Sequence, residues 1–284
     1  MPRLAVIGFP VGHSRSPAMQ NAALAELGLG EGWSYGAVEV PPEGFEATVR
    51  EIAASGEYAG ANVTVPHKLA ALALADTASK TAREIGAANT LTFGRDGIQA
   101  DNTDAGGLLA ALPGTPSGLR ALVLGAGGAG LAAVWALGEA GASVEIWNRT
   151  PARAQTVQVE VTARAEEFQV EIEVRTIEVE PQEGAAGRLD QRGYELIVNT
   201  TAVGLRGEDP FAHLPLDRHG FRPGQVVVDM VYGEEPSPLL GAAAEAGART
   251  IDGLEVLVQQ GALSLEIWTG REAPIATMRA AARG

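Results

Sequence analysis

Cysteine is absent from this chain of 284 residues, which removes disulfides, thiolate metal sites and every mechanism built on a thiol nucleophile. Histidine is scarce. The four present, His13, His67, His213 and His219, have nothing like the spacing of an H-E-x-x-H site, so no metal is expected. Positive charge is in deficit: Lys and Arg number 21 against 35 Asp and Glu, a formal net charge of −14. The basic residues are scattered, not gathered into the stripe that a nucleic acid requires. No stretch approaches the roughly 20 uninterrupted apolar residues of a membrane span. The N-terminal MPRLAVIGFPVGHS reads as a strand and turn, not as a targeting segment. Neither nucleic acid nor membrane is therefore expected as a partner, and a cytoplasmic location is expected.

What the chain does have is glycine, 36 residues of it, in a background that is 46% hydrophobic and only 5% aromatic. That suits an α/β protein with many tight strand–helix turns, and the length favours two domains. Short apolar runs alternate with helical patterns, the rhythm of a parallel sheet. Strands are expected at Leu4–Gly8, Tyr35–Val40 and Ala61–Val65, with helices at Pro17–Leu27, Gly44–Ser55 and Lys68–Ala75. Ser16 reads as the N-cap of the first of these, with Pro at N1. Asn89–Phe93 and Ile98–Asp101 make a hairpin, and the Pro/Gly-rich segment 113–118 looks like a linker. Beyond it come strands at Arg120–Leu124, Ser143–Asn148, Leu196–Asn199 and Val226–Met230, with a helix at Leu131–Ala140. Residues 154–192 are charged and weakly periodic, with a strand placed near Val170–Ile177, and everything after Pro238 reads as helical.

Gly125-Ala126-Gly127-Gly128-Ala129-Gly130 matches G-x-G-x-x-G between a buried strand and a helix, the context that turns the motif into a dinucleotide site. The first glycine permits the turn, the second lets backbone approach a pyrophosphate, and the third allows close helix–strand packing. Cofactor choice is decided at the end of the next strand, where an NAD enzyme places a carboxylate on the ribose hydroxyls. Counting forward lands near Glu145, but that residue is mid-strand. The strand end carries Asn148, Arg149 and Thr150, with Arg153 one turn later. A guanidinium there pairs with a 2′-phosphate, which favours NADP; the bland alternative is a surface Arg capping a helix.

Three further segments carry polar groups at strand ends or helix starts. In Gly60–Lys68, Pro66 halts a strand so that Lys68 emerges at its carboxyl end, where open α/β sheets bind ligands. Asn89 and Asp104 emerge near other strand or hairpin ends of the same unit. A Lys68–Asp104 pair could deliver a proton to a carbonyl oxygen, Asp104 orienting the ammonium. The turn Gly12–Pro17 puts Ser14 and Ser16 at a helix start, where two hydroxyls and backbone N–H groups suit a carboxylate. Residue chemistry alone reaches an NADP-linked carbonyl reductase for a carboxylated substrate.

In their order along the chain, GFPVGHSRSPAMQN, GANVTVPHK, AANTL, DNTDAGG, GAGGAG, NRT, DMVY and GLEVLVQQ resemble the shikimate dehydrogenase family over nearly its whole length. The resemblance implies reversible reduction of 3-dehydroshikimate to shikimate, in a two-domain α/β fold with a cleft between an N-terminal substrate domain and a Rossmann NADP-binding domain. It implies that the C-terminal helices return to the first domain, giving 1–103 with 238–284 as substrate domain and 104–237 as NADP domain. It further implies that Ser14 and Ser16 hold the substrate carboxylate, that Thr64, Asn89 and Asp104 contact ring hydroxyls, and that Lys68 is the acid/base beside Asp104. Tyr232 and Gln260 would complete the substrate pocket. Gly125, Ala126, Gly127, Gly128, Ala129, Gly130, Asn148, Arg149, Thr150 and Arg153 would bind NADP, with Met230 and Gly253 near the nicotinamide. The expected assembly is a monomer or homodimer. Two other readings stay open: an NAD-linked quinate/shikimate dehydrogenase, which should carry an acid where Asn148 and Arg149 stand, and a non-catalytic ligand sensor, which should have lost Lys68 or the glycine turn.

Overall fold

A computed structural model describes residues 2–179, 187–233 and 236–284. Two compact units emerge: Met1–Leu108 with Leu257–Gly284, and Leu109–Val256.

In the first unit, β1 (Arg3–Gly8), β2 (Ser34–Glu39), β3 (Tyr58–Val63), β4 (Thr77–Ala78), β5 (Thr90–Gly94) and β6 (Gly97–Asp101) form one sheet in the order β2-β1-β3-β5-β6-β4. Strand β1 pairs parallel with both β2 and β3, and β3 turns the pairing antiparallel by meeting β5. The burial follows from position: Leu4 to Gly8 in β1, covered on both faces, are all buried, whereas edge strand β2 buries only Tyr35. The helices are α1 (Ser16–Glu26), α2 (Phe45–Ala54), α3 (Lys68–Leu74), α4 (Lys80–Ile85) and α5 (Asp104–Ala111), joined by helical residues from 257–284. Helix α2 shows how such elements pack: Phe45, Val49 and Ile52, spaced by four and three, join Ile7, Val63 and Leu91 in one core.

The second unit is a parallel sheet of β7 (Arg120–Leu124), β8 (Ser143–Trp147), β9 (Glu173–Thr176), β10 (Leu196–Asn199), β11 (Val226–Asp229) and β12 (Arg249–Asp252). Its order, β12-β11-β10-β7-β8-β9, is the doubly wound Rossmann arrangement, with the switch point between β7 and β10. Its helices are α6 (Gly128–Glu139), α7 (Pro151–Phe168), α8 (Pro210–His213) and α9 (Pro238–Glu245). Helix α6 buries every residue from Gly130 to Gly138, Trp135 included. Then α10 (Gly253–Thr269) and α11 (Ile275–Arg283) close the chain.

Three expectations are corrected. The units divide at Leu108/Leu109 and Val256/Leu257, not at 103/104 and 237/238, so Asp104 belongs with Lys68. Residues 238–256 stay with the second unit because β12 pairs in register with β11, Val226 opposite Arg249 to Asp229 opposite Asp252. That strand, Arg-Thr-Ile-Asp, buries one side chain and has no apolar run to announce it. Ser16 is not the N-cap of α1: Arg15 is, and Ser16 and Pro17 occupy the first two helical positions. The short β4 and α4 have no counterpart among the expected elements. Of the weakly periodic 154–192 stretch, α7 runs unbroken through residues 151–168 and β9 occupies 173–176, while 180–186 lie outside the described residues.

Candidate active site

The register of the first sheet gathers the polar residues singled out above. Asn62 of β3 lies opposite Thr90 of β5, and Thr90 lies opposite Asp101 of β6. Asn89, just before β5, therefore sits beside Thr103 and Asp104, just after β6. Asn102 accepts from the N–H groups of Asp104 and Ala105 through its Oδ1, capping the first turn of α5 and placing Asp104 there. From the other side, β3 runs out at Val63, and the turn through Pro66 delivers Lys68 as the first residue of α3. His67 anchors that turn: its ring stacks on Phe45 at 4.3 Å, and its Nε2–H donates to the Val40 carbonyl at 2.7 Å.

Lys68 Nζ donates to Asp104 Oδ2 at 2.5 Å, the two side chains keeping 11% and 13% of their surface in solvent. Asn89 Nδ2 lies 3.0 Å from Asp104 Oδ1 and 3.0 Å from Gln260 Oε1. Four of the expected residues thus form one hydrogen-bonded cluster. An ammonium donor, an amide pair and an oriented carboxylate can hold hydroxyls and exchange a proton with an oxygen.

Ser14 and Ser16 stand at the start of α1, where Ser14 Oγ accepts from the Ser16 N–H at 3.2 Å. One turn on, the buried Gln20 donates from Nε2 to the Gly261 carbonyl at 2.9 Å, pinning α1 to α10 beside Gln260. Thr64 lies at the end of β3, its methyl filling the space a Cβ would need at Gly8, and its hydroxyl joins none of the bonds above. Tyr232 is half-buried in the second unit, just past β11.

The glycine turn leaves β7 at the switch point. Gly125 has φ +110°, and a Cβ on it would come within 2.7 Å of Thr200 Oγ1. A Cβ on Gly130 would lie 2.2 Å from the Gly125 carbonyl oxygen, so helix and strand touch there with no room to spare. Gly127, the N-cap of α6, has open space around its Cβ position. The structure leaves clear the one glycine position where backbone must meet a pyrophosphate, and the first-turn N–H groups of α6 lack intrahelical acceptors. The residues present fit a dinucleotide.

At the end of β8, Asn148 Nδ2 donates to the Thr150 carbonyl at 3.0 Å, and Arg149, Thr150 and Arg153 are exposed. Neither Arg is ion-paired among the described residues, so both cations are available to an anion. Glu145 is committed elsewhere: it accepts from the Tyr194 hydroxyl and lies 3.7 Å from Arg120. Burial and that carboxylate push the Tyr194 hydroxyl above its ordinary pKa. Met230 and Gly253 meet closely, since a Cβ on Gly253 would come within 2.4 Å of the Met230 carbonyl oxygen.

Several residues escaped the sequence reading. Asn62, Thr90, Thr103 and Ser264 are buried and bonded to one another beneath Asn89. Asn199 and Asp229, at the ends of β10 and β11, form a second buried pair at 2.8 Å. The available signal was a polar residue inside or closing an apolar strand, as in Gly-Ala-Asn-Val-Thr and Ile-Val-Asn-Thr-Thr.

The chain matches the sequence profile of the shikimate dehydrogenase substrate binding domain over residues 6–91, and that of the shikimate 5′-dehydrogenase C-terminal domain over residues 253–283. The shikimate dehydrogenase (NADP(+)) of Anaeromyxobacter sp. (strain Fw109-5) is 44% identical over 278 residues, which cover 97% of this chain and 94% of that protein. The chain belongs to the shikimate dehydrogenase family. Among solved structures, the shikimate 5-dehydrogenase of Thermus thermophilus in complex with NADP(H) and shikimate is 40% identical, with a TM-score of 0.81 over 100% of this chain and 99% of that one. A 5-ketofructose reductase from Gluconobacter sp. strain CHM43 is 29% identical, with a TM-score of 0.83 over 99% of this chain and 97% of that one. The architecture therefore also serves another ketone reductase, and substrate must be argued from the site.

Proposed function

We propose that the chain is an NADP-dependent shikimate dehydrogenase, an oxidoreductase that interconverts 3-dehydroshikimate and shikimate. The observation that carries the reading is the Lys68–Asp104 pair tied through Asn89 to Gln260, a proton donor set among hydroxyl-binding amides. Ser14 and Ser16 hold the substrate carboxylate at the start of α1. Asn89, Gln260 and Thr64 bind ring hydroxyls, and Tyr232 completes the substrate contacts. Bound NADPH supplies the hydride that the carbonyl carbon takes up. Lys68 gives the proton that turns the carbonyl oxygen into a hydroxyl, and in the oxidative direction it removes that proton again. Asp104 holds the ammonium at the reacting oxygen and balances its charge while the proton moves.

The cofactor is held by Gly125 to Gly130 and the start of α6, with Met230 and Gly253 beside the nicotinamide. Asn148, Arg149, Thr150 and Arg153 receive the ribose 2′-phosphate. The guanidinium groups of Arg149, just past β8, and Arg153, in the first turn of α7, which have no ion pair among the described residues, and the engagement of Glu145 with Tyr194 and Arg120, support NADP over NAD. Both competing readings lose ground on the same residues: no acid stands at the strand end, and Lys68, Asp104 and the glycine turn are all retained. The lack of cysteine and the acidic net charge are compatible with a cytoplasmic enzyme, monomeric or homodimeric, acting on a small molecule.

Initial rates with shikimate and quinate, each against NADP and NAD, test this directly. Shikimate with NADP should give the highest kcat/KM; preference for NAD, or no turnover of shikimate, overturns the proposal. Arg149→Ala should raise KM for NADP while leaving KM for NAD nearly unaltered, and equal effects on the two would place 2′-phosphate recognition elsewhere.

A further inference from the structure

Beneath the Lys68–Asp104 pair lies a buried polar layer built from residues far apart in sequence. The Tyr35 hydroxyl donates to Asn62 Oδ1 at 2.7 Å. That bond turns the Asn62 amide so that Nδ2 faces Ser264 Oγ at 2.8 Å, Thr90 Oγ1 at 3.2 Å and the Asn89 carbonyl at 3.2 Å. Ser264, Thr90 and Thr103 hydroxyls form a triangle with sides of 2.9, 3.0 and 3.3 Å. Above it sits the side chain of Asn89, whose Oδ1 takes the Thr103 N–H at 2.7 Å and lies 3.1 and 3.2 Å from the Thr90 and Thr103 hydroxyls. With its oxygen facing the Thr103 N–H, Asn89 turns Nδ2 toward Asp104 Oδ1 and Gln260 Oε1, with Thr103 Oγ1 also 2.9 Å from it.

The polarity of the layer is set by groups that play only one role: the Asn89 backbone carbonyl accepts from Asn62 Nδ2, and the Thr103 backbone N–H donates to Asn89 Oδ1. A phenol facing an amide oxygen must donate, and an amide nitrogen facing a hydroxyl must donate too. Ser264 already accepts from Asn62, so its own proton goes to the Gln260 carbonyl, 3.0 Å away, or into the triangle. The Thr90 and Thr103 protons are then free to point at Asn89 Oδ1. Were the Asn89 amide reversed, an oxygen would face the Asp104 carboxylate and a nitrogen would face the Thr103 N–H, two repulsions in a site with almost no water to relieve them.

We propose that Tyr35, Asn62 and Ser264 are positioning residues that act through the Thr90/Thr103 hydroxyls to hold in place the Asn89 amide, which the Thr103 N–H and Asp104 orient, and so set shikimate binding and proton transfer. This rests on the functional reading above. None of the three belongs to the cluster proposed to touch substrate; they hold the position of an amide one or two groups away.

Ser264→Ala and Tyr35→Phe each delete one hydroxyl and little volume. Each should lower kcat/KM for shikimate by about 3–10-fold, shared between a higher KM and a lower kcat, the scale of one lost neutral hydrogen bond. KM for NADP should stay within about twofold, because the cofactor residues lie on the other unit; loss of packing alone would lower the melting temperature without that split. In an Asn89→Ala background, Ser264→Ala should add less than about twofold, since the group it acts through is gone. Unaltered shikimate kinetics in folded variants, or a Ser264→Ala effect undiminished in that background, overturns the inference. Should Ser264→Ala fail to fold, Tyr35→Phe decides alone. Wild type assayed in parallel separates the two readings: a wild type inactive on shikimate overturns both, whereas normal wild-type kinetics with unaltered variants overturns only this one.

Discussion

Replacing Lys68 by Met keeps most of the side chain's length and packing while deleting the ammonium, and the structure lets its two consequences be estimated separately. Positioned acid–base groups typically contribute about 10²–10⁴-fold to rate. At about 1.4 kcal/mol per tenfold, that is about 3–5 kcal/mol of activation free energy. Stability should suffer less. Breaking a buried ion pair commonly costs about 3–5 kcal/mol because a charge is stranded. Here Asp104 Oδ1 keeps Asn89 Nδ2 at 3.0 Å, and its side chain retains 13% of its surface in solvent. A loss of about 1–3 kcal/mol is therefore expected, the scale of one charge-assisted hydrogen bond. The assay is the initial rate of shikimate oxidation, followed by the absorbance of reduced nicotinamide, alongside thermal unfolding by circular dichroism. The expected outcome is a folded variant with a kcat at least about 10²-fold lower and a KM for shikimate changed far less. A folded Lys68→Met enzyme whose kcat stays within about tenfold of wild type would refute the proton-donor assignment.

Two further substitutions separate space from function in the glycine turn. Gly127→Ala meets no atom within 4 Å and should leave the melting temperature nearly unaltered while weakening NADP binding at least about tenfold, measured by titration. Gly130→Ala puts a methyl 2.2 Å from the Gly125 carbonyl oxygen and should lower the melting temperature as well; a variant as stable as wild type would show that α6 can move away from β7 at no cost. Asp229 supplies a pH test. Burial raises its pKa above the ordinary carboxylate value, partly offset by hydrogen bonds from Ser237, Val231 and Asn199. The folded state therefore keeps a proton that the unfolded chain releases above about pH 4. Its contribution to stability falls as pH climbs through that window and then levels off. Asp229→Asn lacks this decline, so the stability of the variant relative to wild type should grow with pH across it. Urea midpoints measured through the acid range check the sign, and an opposite slope would mean that Asp229 is stabilised as a carboxylate.

Both units, the Rossmann turn and most of the cluster were legible because each rests on short-range rules. Gly125 needs a positive φ and Gly130 a missing Cβ, and both needs show in six consecutive letters. Lys68 is legible because Pro66, two residues earlier, marks the turn that follows β3. Glu145 shows the opposite case. Its mid-strand position is enough to set it aside as a ribose ligand, but its actual partners, Tyr194 and Arg120, come from segments that only the sheet brings near. The domain boundary failed at β12 for a related reason. A four-residue edge strand with one buried side chain has no periodicity to read, and its pairing with β11 makes it a strand at all.

By itself, then, the sequence determined the local devices: the turn that admits a pyrophosphate, the cations at the end of β8, and the proline that releases Lys68 at a strand end. Those depend on backbone torsions and side-chain chemistry within a few residues. Only the tertiary structure decided that Asn89 bridges Asp104 and Gln260, that Glu145 is engaged by Tyr194, and that the Asn89 amide faces Asp104 nitrogen-first. A hydrogen bond such as Asn62 to Ser264, spanning 202 residues of chain, exists because sheet register and the return of α10 bring its ends together. Register is a property of the assembled sheet, and no stretch of sequence carries it alone.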